Sequence, residues 1–215
     1  VHPEDLYHSL GRSTEVHNLY GHEWARLLAD GYARDFPGER PLILMRSGFV
    51  GTQRYGIIPW SGDVNRSWGG LQSQVSLALQ MSLQGLAYMH SDLGGFAGNT
   101  FDAELYTRWM QYGVFQPVYR PHAQEFVPPE PIFWDHDTLQ IVRRFIKLRY
   151  ALTPYTYTLA HENSMTGMPL MRPLFFEEDT PEYRGRTDGY LWGDAFLVYP
   201  VTGPGLESVR ASFPG

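Results

Sequence analysis

The chain has 215 residues, 43% hydrophobic, 19% charged and 15% aromatic, with a formal net charge of −6. This is a globular composition, long enough for one or two domains with a sizeable core, and the acidic balance argues against a nucleic-acid binder, which carries a basic face. There is no cysteine, so no disulfide and no thiolate chemistry, and no run of about 18 apolar residues or basic leader to read as a membrane segment or signal peptide.

The first residues, "VHPEDLYHSL", read as the middle of a longer chain, as do the last, "RASFPG". A missing leader therefore leaves the compartment open. Residues 15–36 place Leu19, Tyr20, Trp24, Leu27, Leu28 and Tyr32 at helical spacing, and "FPGER" ends that helix. "PLILMRSGF" predicts a buried strand finishing at Arg46. A Gly-rich loop and a short apolar piece, "IIPW", lead to "WSGDVNRSWGG" and its single carboxylate, Asp63. Helical spacing returns from Ser67 to about Gln84, with Trp68, Leu71, Val75, Ala78 and Leu79 on one side. "GLAYMHSD" predicts a second short buried strand, with His90, Ser91 and Asp92 at its end. "DAELYTRWMQYGVF" is a helix whose acidic first turn suits its dipole. "QPVYRPHAQ" reads as a strand end or loop. Residues 137–163 predict a long helix that Pro154 bends or breaks. "MPLMRPLFF" and "GYLWGDAFLVYPV" read as strands.

Strands thus alternate with helices, and apolar strands end in polar residues beside glycines. Alternation of this kind points to a parallel sheet with crossover helices. Polar strand ends are where (β/α)8 barrels place their active sites. The fold class is α/β: the C-terminal part of a (β/α)8 barrel over residues 1–175, then a linker and the first strands of a β-sandwich over 176–215.

Asp63 is the leading candidate for chemistry. Between two tryptophans a carboxyl is partly desolvated, which suits a group that must carry a proton near neutral pH. The bland alternative is an ordinary "SGD" turn, with Asp63 as a helix cap. Arg46 and Asp92 each follow a buried strand; they could bind a polar ligand or pair with each other. His122 lies in a loop at a strand end, where a lone histidine is commonly a structural hydrogen-bonder. The eight histidines are scattered, and His17 and His22 are five apart, so no metal site is indicated. "SDLGGFAGN" is not GxGxxG, there is no P-loop, and no GxSxG elbow supports a Ser–His–Asp triad.

In order along the chain, "RSGF", "WSGDVNRSW", "SDLGGF", "YRPHAQ", "LRYALTPYTYTLAHENSMTGMPLMRPLFFE" and "GDAFLVYPV" resemble glycoside hydrolase family 31, the α-glucosidase family. The resemblance covers nearly the whole chain. "FVGTQRYGIIPWSGDVNRSWGGLQSQ" is most similar to a bacterial branch that includes oligosaccharide 4-α-glucosyltransferases. The resemblance implies a retaining mechanism on an α-linked oligosaccharide, without metal or organic cofactor, using two carboxylates. Asp63 would be the general acid/base. Trp60 would floor the sugar subsite, Arg46 and His122 would bind hydroxyls, Asp92 would hold that network, and Phe96 would be a wall. The family's nucleophile is an Asp on an earlier strand, which places it before Val1; Glu4 and Asp5 stand in the wrong part of the motif. Three readings follow: an α-glucosidase, an α-glucosyltransferase on the same site, or a sugar-binding relative without turnover. A chain lacking half the catalytic pair is expected to be inactive alone.

Overall fold

The computed structural model describes residues 3–214. A two-residue antiparallel hairpin, β1 (Tyr7–His8) and β2 (Gly11–Arg12), leads into α1 (Ser13–Val16), a 3-10 turn and α2 (Tyr20–Asp35). β3 (Ile43–Met45) and β4 (Ile57–Pro59) then pair in parallel, Ile43 with Ile57 and Met45 with Pro59. α3 (Trp68–Leu83) follows, then α4 (Ala103–Gly113), α5 (His136–Ala151) and α6 (Thr153–Thr166). Two single parallel bridges extend the β3–β4 pair, Trp60 with His90 and Leu93 with Pro121. Four successive extended segments therefore run side by side in one direction, with α3 and α4 as the crossovers between the later ones. This is an arc of a parallel barrel wall. Beyond it, β5 (Met171–Arg172), α7 (Pro181–Arg184), β6 (Tyr190–Trp192) and β7 (Phe196–Val198) include a three-stranded antiparallel sheet in the order β5-β6-β7.

Local chemistry explains the boundaries. Ser67 caps α3 by accepting from the Gly70 N–H at 3.0 Å, Asp102 caps α4 through Leu105, and Asp135 caps α5 through Thr138. Each fills one of the open donors of a first helical turn. The long helix expected over 137–163 is split at Leu152, and Pro154 lies in the first turn of α6, where its missing N–H leaves no bond unmade.

The main core gathers Leu71, Val75, Ala78 and Leu79 of α3, Leu105, Trp109 and Met110 of α4, Val142 of α5, Leu159 of α6, and Met171, Tyr190 and Trp192 of the sheet. The α3 face is the one read from its spacing. α2 differs. It forms, but its buried positions are Gly21 and Ala25, while Tyr20, Trp24 and Leu27 stand exposed. Close approach decided the face: a Cβ on Gly21 would press on the Ser47 side chain, so the helix rests on its small residues. β3 is also less buried than expected, with Leu44 and the preceding Leu42 exposed, because among the described residues β3 pairs with β4 alone. "GLAYMHSD" is buried throughout its last residues yet makes one bridge rather than a strand. "MPLMRPLFF" contributes only the two residues of β5 before Pro173 opens a 3-10 turn, and "GYLWGDAFLVYPV" is a hairpin turned at Gly193 (φ +61°). No helix among the described residues is long and apolar enough to cross a membrane.

Candidate active site

Parallel strands share one carboxyl edge, so residues that follow them in sequence meet in space. Arg46 follows β3, Trp60 and Asp63 follow β4, His90 and Asp92 follow the third segment, and Arg120 and His122 lie at the fourth. The electrostatic environment of Asp92 includes Arg120, His122, Asp63 and Arg46 together. All six residues predicted for the site (Arg46, Trp60, Asp63, Asp92, Phe96 and His122) lie on this edge or on the loops leaving it.

Their pairing differs from the sequence expectation. Arg46 Nη1 lies 3.2 Å from Asp63 Oδ1, with the two side chains 57% and 55% exposed. Arg46 does not pair with Asp92. Asp92 is instead an ion-pair partner of Arg120, whose Nη2 donates to Asp92 Oδ1. The expected desolvation of Asp63 is not found, because neither tryptophan closes over it. Trp60 lies beneath the Arg120 guanidinium, 5.8 Å from it, and Trp68 turns away to donate its Nε1–H to Asp102 Oδ2 at 3.2 Å. The cap reading of Asp63 also fails, since Ser67 caps the helix.

Asp92 is 1% exposed. Burial pushes its carboxyl up from the ordinary range; Arg120, His122 and Arg46 pull against this, and Asp63 adds to the push. Its Oδ2 is buried with no hydrogen-bond partner among the described residues. His90 sits beside it on the Arg120 side. Burial, and then the Arg120 charge, hold His90 down to about 4. The neutral ring can accept at Nε2 from Arg120 Nε, 3.4 Å away, with Nδ1 near the Tyr88 carbonyl. Phe96 stacks on His122, ring centroids 5.2 Å apart and 29° between planes.

The loops are laced by backbone bonds. Ser61 N–H donates to His90 O, Phe96 N–H to Val64 O, Arg66 N–H to Ala97 O, Leu93 N–H to Arg120 O and Gln124 N–H to Phe96 O, all within 3.1 Å. Arg66 is buried, and its guanidinium lies 3.4–3.5 Å from the carbonyls of Gly94, Phe96 and Gly98. The "SGD" turn has its own reason for glycine. Gly62 has φ +75°, and a Cβ there would lie 2.6 Å from Arg46 Cζ. Gly62→Ala is therefore expected to cost about 1–2 kcal/mol for the left-handed backbone alone and to push Arg46 off Asp63. A melting-temperature shift with a loss of kcat/KM would report both; unchanged values would refute the packing argument.

Arg120 and Arg66 were not singled out from sequence, and His90 was read only as a polar group at its strand end, with no role in the site. A period-2 reading could have found two of them: His90 and Asp92, and Arg120 and His122, are each two apart on an extended segment and so share a face. Arg66 left no such signal. Among the described residues no group of three or more His, Asp or Glu could hold a metal ion.

Among known proteins the chain is similar to mouse neutral alpha-glucosidase C, 36% identical over all of this chain and 24% of that protein. It is 39% identical to alpha-glucosidase 2 of Bacillus thermoamyloliquefaciens, over 93% of this chain and 25% of that one. The chain thus spans about a quarter of the length of these relatives. Among solved structures, the DNJ-bound glucosidase II alpha subunit superposes with a TM-score of 0.90 at 31% identity, over 100% of this chain and 24% of that one. The glucose-bound dextranase of Flavobacterium johnsoniae gives 0.88 at 33%, over 94% and 26%. The profile of the glycosyl hydrolase family 31 C-terminal domain matches residues 167–215. The profile of the glycosyl hydrolases family 31 TIM-barrel domain matches residues 2–159, well over half of the sequence, and the chain belongs to glycoside hydrolase family 31.

Proposed function

We propose that the full-length protein is a retaining α-glycosidase acting on α-linked gluco-oligosaccharides, with Asp63 as its general acid/base. The observation that carries this reading is the placement of Asp63, exposed and within 3.2 Å of Arg46, on the strand edge that also holds Asp92, Arg120 and His122. A carboxyl that must reach a glycosidic oxygen has to be accessible from solvent, and this one is 55% exposed. The buried ion pair behind it gives the rigid polar floor that sugar hydroxyls require.

In the first step Asp63 gives its proton to the leaving oxygen as a second carboxylate attacks the anomeric carbon, and the glycosidic C–O bond breaks. In the second step Asp63 takes a proton from an incoming water, whose oxygen bonds to the anomeric carbon as the glycosyl–enzyme bond breaks. The family resemblance assigns the second carboxylate to an Asp of an earlier strand, outside this cluster; within the cluster, Asp92 is committed to Arg120. Arg46 and His122 bind hydroxyls on either side, Phe96 braces His122, and Trp60 supports Arg120 from below. When a sugar draws Arg46 onto its own hydroxyls, the Oδ1 that Arg46 contacted is released toward the leaving group.

The stretch "FVGTQRYGIIPWSGDVNRSWGGLQSQ" favours a second reading, an oligosaccharide 4-α-glucosyltransferase in which a sugar hydroxyl replaces water in the second step. Maltotriose separates the two. Hydrolysis yields glucose and maltose with net reducing-end gain; transfer yields longer and shorter oligomers without it. A full-length protein that does neither, and binds maltotriose unchanged, is a sugar-binding relative and overturns both.

A further inference from the structure

Arg149 of α5 is a partly buried guanidinium that no carboxylate pairs with among the described residues. Its Nη1 donates to Val114 O and Gln116 O and its Nη2 to Pro117 O, each at 2.7 Å, with Trp192 of β6 5.9 Å beneath the charge. Tyr190 of β6 adds a fourth hold on the same turn, donating from its hydroxyl to Phe115 O at 2.8 Å. Four consecutive residues of one turn thus have their carbonyls fixed from outside. Burying a cation this way is costly, and burial pulls Arg149 below its ordinary pKa.

The turn leads directly to the site. Gln116, fully buried, donates from its side-chain amide to Val118 O at 3.0 Å and faces Ser91 across 3.4 Å at both the backbone and Oγ. Trp109 Nε1–H fixes the same Ser91 Oγ at 3.0 Å. Ser91 precedes Asp92, and the strand from Val118 carries Arg120. One turn therefore sets the spacing of the two extended segments that carry the Asp92–Arg120 pair.

We propose that Arg149, assisted by Tyr190, is a positioning residue that acts through residues 114–118 on the Asp92–Arg120 pair, so that the C-terminal sheet helps hold the sugar-binding floor in register. This rests on the glycosidase reading. A lysine offers one charged centre where the planar fork spans three carbonyls.

The test uses the full-length protein with maltose, and DNJ binding by calorimetry as a readout free of turnover. Arg149→Lys, checked as folded by circular dichroism, is expected to weaken DNJ binding and lower kcat/KM about tenfold, mainly through KM. In an Asp92→Asn background the same change is expected to have less than about a twofold effect. Tyr190→Phe is expected to act in the same direction and more weakly, and decides the matter if Arg149→Lys does not fold. Wild-type values of KM and DNJ affinity in the folded variants, or an undiminished effect in the Asp92→Asn background, would overturn the inference. A wild-type protein inert toward maltose and DNJ would instead overturn the glycosidase reading.

Discussion

Asp63→Ala in the full-length protein is expected to lower turnover of maltose by about 10²–10⁴-fold, the range that a positioned proton donor contributes. The size depends on the leaving group, and that dependence carries the diagnosis. Maltose leaves as a poor alkoxide and needs the proton. An aryl glucoside with an activated phenol leaves without it, so the first step survives the substitution and the second, which needs a base, becomes limiting. A burst of phenol followed by slow turnover is then expected. Added azide needs no base, attacks the glycosyl–enzyme directly and should restore turnover on the aryl substrate only. Among the described residues Asp63 makes only a solvent-exposed ion pair, with Arg46, and exposed pairs contribute at most about 1 kcal/mol, so melting should barely move. Equal losses on both substrates, with no azide response, would remove Asp63 from the acid/base role.

Much of this site is legible in the sequence because strand polarity is a sequence property. An apolar run ending in Arg46, Asp63 or Asp92 states which end of the strand carries the polar group, and parallel order then brings those ends together. The caps at Ser67, Asp102 and Asp135 are local too, but the sequence reading named none of them and offered Asp63 instead. Pairing was not legible. Whether Arg46 meets Asp63 or Asp92, and whether Arg120 takes Asp92, depends on the register between separate segments, which one strand does not encode. The α2 face was misread for a related reason. Spacing counts large side chains, but that helix packs through Gly21 and Ala25, whose smallness is the attractive feature. The desolvation of Asp63 was inferred from neighbouring tryptophans in sequence, yet Trp60 and Trp68 serve Arg120 and Asp102. Adjacency along an irregular loop does not fix which way a ring turns.

The Asp92–Arg120 pair should give the second large effect. Asp92→Asn and Arg120→Met are each expected to cut kcat/KM about 10²-fold, because truncating one member of a buried charge pair leaves the other uncompensated. Combined, they should cut it about 10²-fold in total and not 10⁴-fold, since the second loss removes a partner already gone. Independent effects on the two residues would contradict a shared floor. Stability gives a separate check with a definite sign. Burial raises the Asp92 carboxyl above its unfolded value, so the fold favours the protonated form. The stability this contributes is full below the unfolded value of about 3.9 and is lost as pH rises through the raised one. Asn carries no such proton. The melting temperature of Asp92→Asn relative to wild type should therefore move in the variant's favour as pH rises out of the acid range, while its activity stays low throughout. A difference that moves the other way would mean that Arg120, not burial, dominates the carboxyl, and that the pair stabilises the fold as well as the sugar.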